Sequence, residues 1–276
     1  MPLVCFSLFS TLWARFISIR VKESKCTCTS DKIKRRSLSF LLGAGLLELT
    51  SVVVERSSRC LLNRVSLKIR RGEVLGVIGL NGSGKSVLLQ LMSGLIKPDR
   101  GRVQFRGEEQ TRNPSLLRKS VVMCSGQSQA VGKLTVAAWV EYLVYIHGLD
   151  LSLIRSRLTE FQEWFPSSEQ LFEELSWGDQ RRAELAFAMC RRAPFYCLDQ
   201  PSNGLDGLSQ RQLGAQIKQR AVEGTTFALA DHSAELMTSL CDRILIMRDG
   251  GIDEFLSRGE DGFREKVLAA QGWVDP

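Results

Sequence analysis

The sequence lacks several features that would assign it to a specialised class of protein. No stretch is apolar over the ~20 residues that a membrane-spanning helix needs, so no helical span is expected. Among the eight cysteines, only Cys26 and Cys28 lie close together, and no second pair has the spacing of zinc ligands. We therefore expect neither a disulfide framework nor a zinc site. The cysteines in apolar runs (Cys190, Cys197 and Cys241) suggest buried reduced thiols in a reducing, cytosol-like compartment.

Acidic residues are scarce in the first 40 residues, which are rich in serine, threonine, lysine and arginine, and much of the net charge of +7 lies there. Residues 1–45 are therefore predicted to be a basic leader. The composition of this leader is compatible with five alternatives: a disordered leader, an organellar transit peptide, a membrane-surface anchor, an arm near nucleic acid, or an extension upstream of the true start. Its apolar beginning has no preceding basic region and so makes a poor secretory signal. No internal repeat follows it.

The rest of the chain has the composition of an ordinary globular protein, with 44% hydrophobic and 24% charged residues. Its most informative feature is the sequence GLNGSGKS at residues 79–86, which fits the pattern G-x-x-x-x-G-K-[ST]. Glycines let backbone N–H groups approach phosphate oxygens, while Lys85 would reach the β- and γ-phosphates and Ser86 would hold Mg²⁺. The nucleotide-binding residues predicted here are Gly79, Asn81, Gly82, Ser83, Gly84, Lys85, Ser86 and Val87.

Short apolar runs alternate with helical patterns along the chain, which predicts an α/β fold. An apolar run at 74–78 precedes the phosphate loop, and residues 87–92 open a helix whose positive end faces the nucleotide. We expect a P-loop NTPase core, a mostly parallel sheet flanked by helices, with an antiparallel β edge and an inserted α-helical subdomain. Strands are predicted at 46–69 (two or three of them), 102–106 (an edge strand), 121–124, 195–198, 227–230 and 244–247, and the helical subdomain at about 128–192.

Two further segments bear on the chemistry. Asp199 ends a buried strand downstream of the phosphate loop, where an acid binds Mg²⁺ through water or helps to hold Ser86. The sequence LSWGDQRR at 175–182 opens a helix, so Ser176 and the backbone at Gly178 would be able to donate to a γ-phosphate. The alternative interpretation is an ordinary serine N-cap, with Asp179 favouring the first turn.

This segment resembles the signature of ABC transporter ATPases, usually LSGGQ followed by basic residues. Three matches follow in the order of the family: Gln127 (with Gln129 as the competing candidate) for the residue that touches Mg²⁺ and the attacking water, the sequence SNGLD at 202–206, and His232. The chain is thus similar to an ABC-type ATP-binding subunit over residues 46–255, followed by a C-terminal tail at 256–276. The resemblance implies a head-to-tail dimer that seals two ATP molecules between each phosphate loop and the opposing signature, with Asp206 near the other subunit.

What the resemblance implies for the reaction is an ATPase whose catalytic residues are Gln200, His232 and Gln127 and whose metal ligands are Ser86, Gln127 and Asp199. ATP would close the dimer and hydrolysis would reopen it, driving a separate integral-membrane permease subunit from the cytoplasmic face of a membrane, or of an organelle if the leader is a transit peptide. A second ATP-binding subunit, identical or not, completes the assembly. Candidate contacts with the permease are Tyr142, Tyr145, Trp164 and Phe165, unless these belong to the core of the subdomain.

The sequence departs from the family at three places. Gln200 stands where the family has glutamate, and a neutral amide orients water but does not accept its proton at pH 7. We therefore expect slow hydrolysis. Trp177 replaces a glycine and Asp179 replaces a glutamine in the signature, which would weaken closure or favour a different partner. Arg56 stands near the site of the adenine-stacking aromatic, where its guanidinium would stack instead.

Short segments are also similar to particular exporters: 184–188 and 240–243 to polysaccharide-export ATPases, and 178–182 to the haem-export ATPase of cytochrome c maturation. The favoured interpretation is the ATP-binding subunit of an ABC transporter; export is one interpretation of these segments, and the sequence leaves the direction of transport open. The alternative is a catalytically degenerate ABC ATPase that serves as an ATP-responsive scaffold or as the inactive half of a heterodimer. A nucleic-acid partner is not expected, because ABC ATPases of that class carry two such domains in one chain. A P-loop kinase is disfavoured by the signature and by His232.

Overall fold

The computed structural model describes residues 45–57, 59–126 and 133–270, and these form two sheets with helices packed against them. The strands, in chain order, are β1 (Gly45–Arg56), β2 (Arg59–Arg70), β3 (Val74–Gly79), β4 (Arg100–Phe105), β5 (Glu108–Glu109), β6 (Val121–Cys124), β7 (Phe195–Asp199), β8 (Thr226–Ala230), β9 (Arg243–Arg248) and β10 (Gly251–Ser257). The helices are α1 (Lys85–Met92), α2 (Ser115–Ser120), α3 (Val136–Ile146), α4 (Leu151–Leu158), α5 (Trp177–Cys190), α6 (Gly207–Val222), α7 (Ala234–Leu240) and α8 (Phe263–Ala270).

The smaller sheet is antiparallel, in the order β2-β1-β4-β5. Burial alternates along β2, because one face packs on the core and the other faces solvent. The expectation that residues 102–106 form an edge strand was wrong: β4 pairs with β1 on one side and with the two-residue β5 on the other. β5 is too short to show an alternating pattern, so its pairing with β4 could not be predicted from periodicity.

The larger sheet has the order β10-β9-β3-β8-β7-β6. Its five strands from β9 to β6 are parallel, and β10 joins β9 antiparallel. β3, β7 and β8 are buried at every position, as strands covered by helices on both faces must be. The carboxyl ends of the parallel strands meet at one edge of the sheet, so the residues that follow them come together there. The α/β fold class with an antiparallel sheet is confirmed.

The helical segment packs around a small aromatic core. The ring of Trp139 on α3 stacks on Phe172 at 4.5 Å between centroids and meets Phe187 of α5 edge-on at 5.8 Å. Trp164 is buried and Phe165 packs against the same core, as the alternative for these two residues expected. Tyr145 is 84% exposed and Tyr142 is 40% exposed, so they remain available on the surface.

In the part of the chain that the structure describes, no helix is both long enough and apolar enough to cross a membrane. The domain boundary predicted at residue 255 lies within β10, and the following helix α8 inserts the fully buried Val267 into the core. The domain boundaries themselves stay predictions.

Candidate functional site

The loop between β3 and α1 has a backbone that only glycine accommodates at two positions. Gly79 has φ 147°, and a Cβ there would lie 2.3 Å from the carbonyl oxygen of Met247. Gly84 has φ 102°, and its Cβ would lie 2.8 Å from the carbonyl oxygen of Leu61. Both values are shorter than real Cβ contacts, and both φ angles fall where L side chains are strained. The loop is therefore held tightly between β9 and β2.

Lys85 is folded back over this loop. Its side chain is only 8% exposed, and its ammonium donates to the carbonyl oxygens of Gly79 (2.8 Å) and Leu80 (2.9 Å). Burial lowers the pKa of Lys85, while the negative charge of Asp199 acts against that shift. An anion in the loop would offer this ammonium a stronger acceptor than the two neutral carbonyls do.

The groups around Lys85 leave hydrogen-bonding capacity for a ligand. α1 has no side-chain cap and no acid in its first turn, so its first N–H groups and its positive end are left for an anion. The hydroxyl of Ser83 is buried and has no hydrogen-bond partner among the described residues. Asn81, Gly82 and Ser86 are exposed, and Val87 is half-buried. The loop thus has the properties of a phosphate cradle.

Gln200 and His232 meet at the ends of two neighbouring strands, β7 and β8. Gln200 has φ 48°, an unusual conformation for a residue with a side chain, and its N–H donates to the carbonyl of Ala230 at 2.6 Å. Its amide nitrogen lies 3.4 Å from Nε2 of the exposed His232, and its amide oxygen accepts from the Asn203 side chain at 3.3 Å. The structure therefore brings together two of the three residues predicted to be catalytic.

Asp231, which was not predicted from the sequence as a site residue, connects the two turns that follow β7 and β8. Its buried carboxylate accepts from the backbone N–H of Ser202 (2.8 Å), the hydroxyl of Ser202 (2.6 Å) and the backbone N–H of Ser233 (2.8 Å). It therefore ties the turn after β7 to the turn that carries His232. The only signal in the sequence was an acid directly after a buried strand, a pattern too common to be informative alone.

The polar side chains of the signature segment at residues 175–182 form hydrogen bonds and an ion pair with one another. Ser176 caps α5, since its Oγ accepts from the N–H of Asp179 at 3.1 Å, and its hydroxyl donates to Asp179 Oδ2 at 2.6 Å. This hydrogen bond, followed by the ion pair with Arg182, lowers the pKa of Asp179. Arg182 also faces the carboxylate of Asp206 at 3.5 Å. The N-cap geometry of the alternative interpretation is present, and the Ser176 proton is already in use.

Trp177 connects this segment to the turn at residues 202–206. Its ring is 53% exposed and lies over Gly204, where a Cβ would approach the ring to 2.2 Å. Gly178 also lies close, since a Cβ on it would be 2.8 Å from the Gly204 carbonyl oxygen. Replacing either glycine would push the two segments apart, so they form one surface that contains Ser176, Trp177 and Gly204.

The remaining candidates lie apart or outside the described residues. Arg56 ends β1 in the antiparallel sheet, where its exposed guanidinium pairs with Asp99 at 3.2 Å. Gln127 and its competitor Gln129 lie outside the described residues. Within residues 45–57, 59–126 and 133–270, no three or more His, Cys, Asp or Glu residues cluster as metal ligands. A cation at Ser86 and Asp199 would therefore need further ligands from water and from phosphate oxygens.

Comparisons with known proteins agree with this geometry. The family model described as ABC transporter matches residues 62–203. A methionine import ATP-binding protein of Carboxydothermus hydrogenoformans is 32% identical over 203 residues, which cover 70% of this chain and 60% of that protein. The chain thus spans less than two thirds of that relative, and 66% of a similar protein from Nocardia farcinica. The SkfA peptide export ATP-binding protein of Bacillus subtilis is 28% identical over 80% of this chain and 98% of its own length.

Solved structures show the same fold. The ATP-binding subunit of an ABC transporter superposes with a TM-score of 0.71 at 22% identity, covering 81% of this chain and 99% of that one. A dimeric ATP-binding cassette in a post-hydrolysis state, bound to ADP and Pi, superposes with a TM-score of 0.69 at 22% identity over 78% of this chain and 99% of its own.

Proposed function

Since the chain belongs to the ABC transporter family, we propose that it is an ATP-binding subunit that binds ATP at the phosphate loop and hydrolyses it slowly. The observation that carries this proposal is the cradle of Gly79 and Gly84 around Lys85. The two glycines carry no Cβ, and a buried ammonium and a free helix N-terminus converge on the loop. These three features suit the phosphates of a nucleotide.

Binding would begin with a rearrangement of Lys85. Its ammonium leaves the carbonyls of Gly79 and Leu80 and moves to the β- and γ-phosphates, because charged acceptors bind it more strongly than neutral ones. The backbone N–H groups of residues 81–86 and of Val87 would donate to the remaining phosphate oxygens. Ser86, Asp199 and Gln127 are the residues that would hold Mg²⁺, which neutralises phosphate charge when bound.

Gln200 and His232 are placed for the hydrolytic step. The amide of Gln200 would orient the attacking water, and His232, 3.4 Å away, would contact the γ-phosphate. Neither group supplies the carboxylate that serves as general base in the family, and losing such a base costs roughly 10²–10⁴ in rate. The subunit is therefore expected to bind ATP well and to hydrolyse it slowly.

The partners proposed are a second ATP-binding subunit and an integral-membrane permease. ABC cassettes work as dimers, and one of the superposed structures is dimeric. In a head-to-tail arrangement, Ser176, Gly178 and Asp206 of one subunit would face the phosphate loop of the other. The exposed Tyr142 and Tyr145 offer a contact to the permease at the cytoplasmic face of a membrane. Export is the direction proposed, because the chain matches a peptide export protein over 98% of its length but the two methionine import proteins over only 60% and 66% of theirs.

A second candidate function is a degenerate subunit that responds to ATP without turning it over, as a scaffold or as the inactive half of a heterodimer. The hydroxyl of Ser176 favours this second function, because it donates its hydrogen bond to Asp179. That hydrogen bond must break before the hydroxyl can donate to a phosphate. Gln200 favours it as well, since it replaces the general base.

Titration with a fluorescent ATP analogue, mant-ATP, in the presence of Mg²⁺ tests the nucleotide site. We expect Lys85→Ala to weaken binding at least tenfold, about the loss of one charged hydrogen bond to phosphate. Lys97→Ala serves as the matched control, because it removes an exposed lysine from the turn after α1. Equal affinity of the Lys85→Ala variant and the parent would overturn the proposal, provided that both variants melt like the parent.

A further inference from the structure

Arg181 has an unusual environment for a charged residue. It lies on α5, one turn after the first residues of the signature segment, and its side chain is 2% exposed. One guanidinium nitrogen, Nη2, donates to the carbonyl oxygens of Asp199 at 2.9 Å and of Gln200 at 3.1 Å. The other, Nη1, pairs with Glu184 at 3.2 Å and contacts Cys124 Sγ at 3.5 Å. Arg181 thus joins α5 to the carboxyl ends of β6 and β7.

Of the two carbonyls to which Arg181 donates, one belongs to a residue with a strained backbone conformation. Gln200 has φ 48°, which a residue with a Cβ adopts only when surrounding contacts enforce it. The N–H of Gln200 donates to the carbonyl of Ala230, and its own carbonyl accepts from Arg181 at 3.1 Å and from the N–H of Asn203 at 3.2 Å, so both backbone polar groups of this residue are hydrogen-bonded. These contacts restrain the backbone from which the Gln200 amide extends.

The same guanidinium lies against the strand end that leads to residue 127. Gly126 has φ 66°, and a Cβ there would lie 2.6 Å from Nη1 of Arg181. A larger residue at 126 would displace the arginine. Arg181 therefore contacts the backbone at Gly126, which directly precedes the predicted residue Gln127. It also contacts the backbone carbonyls of Asp199 and Gln200.

We propose that Arg181 is a positioning residue for ATP hydrolysis. It sets the backbone of Gln200 and thereby aims the amide at the attacking water, and it links that amide to the helix that Ser176 caps. This inference rests on the proposed function. It predicts a separation of effects: because the phosphate loop is held by Met247 and Leu61 rather than by Arg181, loss of the arginine lowers the hydrolysis rate without lowering ATP affinity.

A merely structural role is the competing explanation, and Arg220 provides the matched control. Arg220 is also a buried arginine, 7% exposed, that donates to a backbone carbonyl, that of Met189, at 2.6 Å. It lies on α6, near the C-terminal end of α5, and faces Glu160 at 3.9 Å. Arg220→Met should therefore destabilise the fold as Arg181→Met does, but it should leave the Gln200 segment unchanged.

The first measurement uses the full chain and single-turnover hydrolysis of radiolabelled ATP, in the parent and in a Gln200→Glu background. We expect Arg181→Met to reduce the rate at least about tenfold, since a misplacement near 1 Å can cost about a hundredfold, with mant-ATP affinity kept within about twofold. Arg181→Lys should recover most of the rate, because an ammonium also donates to both carbonyls. Equal rates, or a parallel loss of affinity and rate, would refute the positioning role.

Amide hydrogen exchange provides a second measurement that does not depend on turnover. In Arg181→Met, peptides covering residues 199–206 should exchange at least about tenfold faster, whereas those covering 79–86 should not change. Unchanged exchange at 199–206, or a uniform increase across the sheet like that expected for Arg220→Met, would rule out the proposal. If the parent fails to bind mant-ATP, the proposed function fails, but the exchange result still decides whether Arg181 holds Gln200.

Discussion

Gln200 combines a left-handed backbone conformation with a side chain 3.4 Å from His232. Such a conformation is disfavoured for a residue with a Cβ by about 1–2 kcal/mol. It persists here because the backbone N–H of Gln200 donates to Ala230 and its carbonyl accepts from Arg181 and from the N–H of Asn203. Hydrogen bonds to the backbone therefore hold the neutral amide of Gln200 in place, although this amide cannot take a proton from water at neutral pH.

Gln200→Glu tests whether that position still suits a general base. We expect the turnover of ATP to rise at least about tenfold, because a carboxylate at this place accepts the proton that an amide cannot. Steady-state ATPase assays give the result, and Gln219→Glu on the exposed face of α6 adds the same charge elsewhere as a control. Unchanged turnover would mean that another group acts as the base.

Single residues also show where sequence reasoning ends. The phosphate loop was predictable, because its chemistry lies within eight consecutive residues. Asp231 and Arg181 were not, since Asp231 holds a serine 29 positions away and Arg181 holds carbonyls 18 and 19 positions away. Such contacts depend on which strands become neighbours in the sheet, and one sequence does not reveal that. The sequence predicted the Ser176 N-cap as an alternative interpretation. It did not predict that Arg182, which pairs with Asp179, also faces Asp206.

At the scale of secondary-structure elements, the phosphate loop depends on strands far away in sequence. Met247 on β9 and Leu61 on β2 present carbonyl oxygens to the loop glycines. The buried strands β3, β7, β8 and β9 were predicted because a strand covered on both faces is continuously apolar. The pairing of β4 with β5 was missed because two residues carry no periodic signal.

Two glycines of the loop offer a matched comparison between steric and conformational effects. Gly79→Ala places a Cβ 2.3 Å from the Met247 carbonyl, so we expect it to displace β9 or the loop and to reduce mant-ATP binding at least about tenfold, as a loss of more than ~1.4 kcal/mol requires. Gly82 also has a positive φ, 82°, but no atom lies within 4 Å of a Cβ there.

For Gly82→Ala we therefore expect only the backbone cost, about 1 kcal/mol in the free energy of unfolding, with nucleotide binding largely retained. Urea unfolding and mant-ATP titration of both variants check the comparison. Similar losses of binding in the two variants would show that the contacts with β9 do not shape the loop.

At the scale of the whole molecule, the acidic surface around Ser176 bears on assembly. Asp179 and Asp206 flank Arg182 there, and the Ser176 hydroxyl is bonded to Asp179. In a dimer of identical chains, this surface would meet the triphosphate of the other copy. A carboxylate close to phosphate oxygens opposes that contact, since like charges brought together at an interface are costly.

The double variant Trp177→Gly, Asp179→Gln should therefore self-associate more readily with Mg-ATP than the parent, by about tenfold in the dimerisation constant, equivalent to ~1.4 kcal/mol. Sedimentation velocity with and without Mg-ATP measures this, and Glu108→Gln on the exposed β5 removes one charge elsewhere as a control. A parent chain that already dimerises as tightly as the variant would show that the surface accepts a second copy as it stands.

The half-exposed ring of Trp177 has one more consequence. Trp139 and Trp164 are 1% and 6% exposed, whereas Trp177 is 53% exposed, so among the tryptophans that the structure describes it is the one accessible to an aqueous quencher such as iodide. It also lies on the surface where a second subunit would sit. Docking there would shield the indole and shift its emission to shorter wavelength, so the fluorescence of Trp177, taken as the difference from a Trp177→Phe variant, would report assembly without a label.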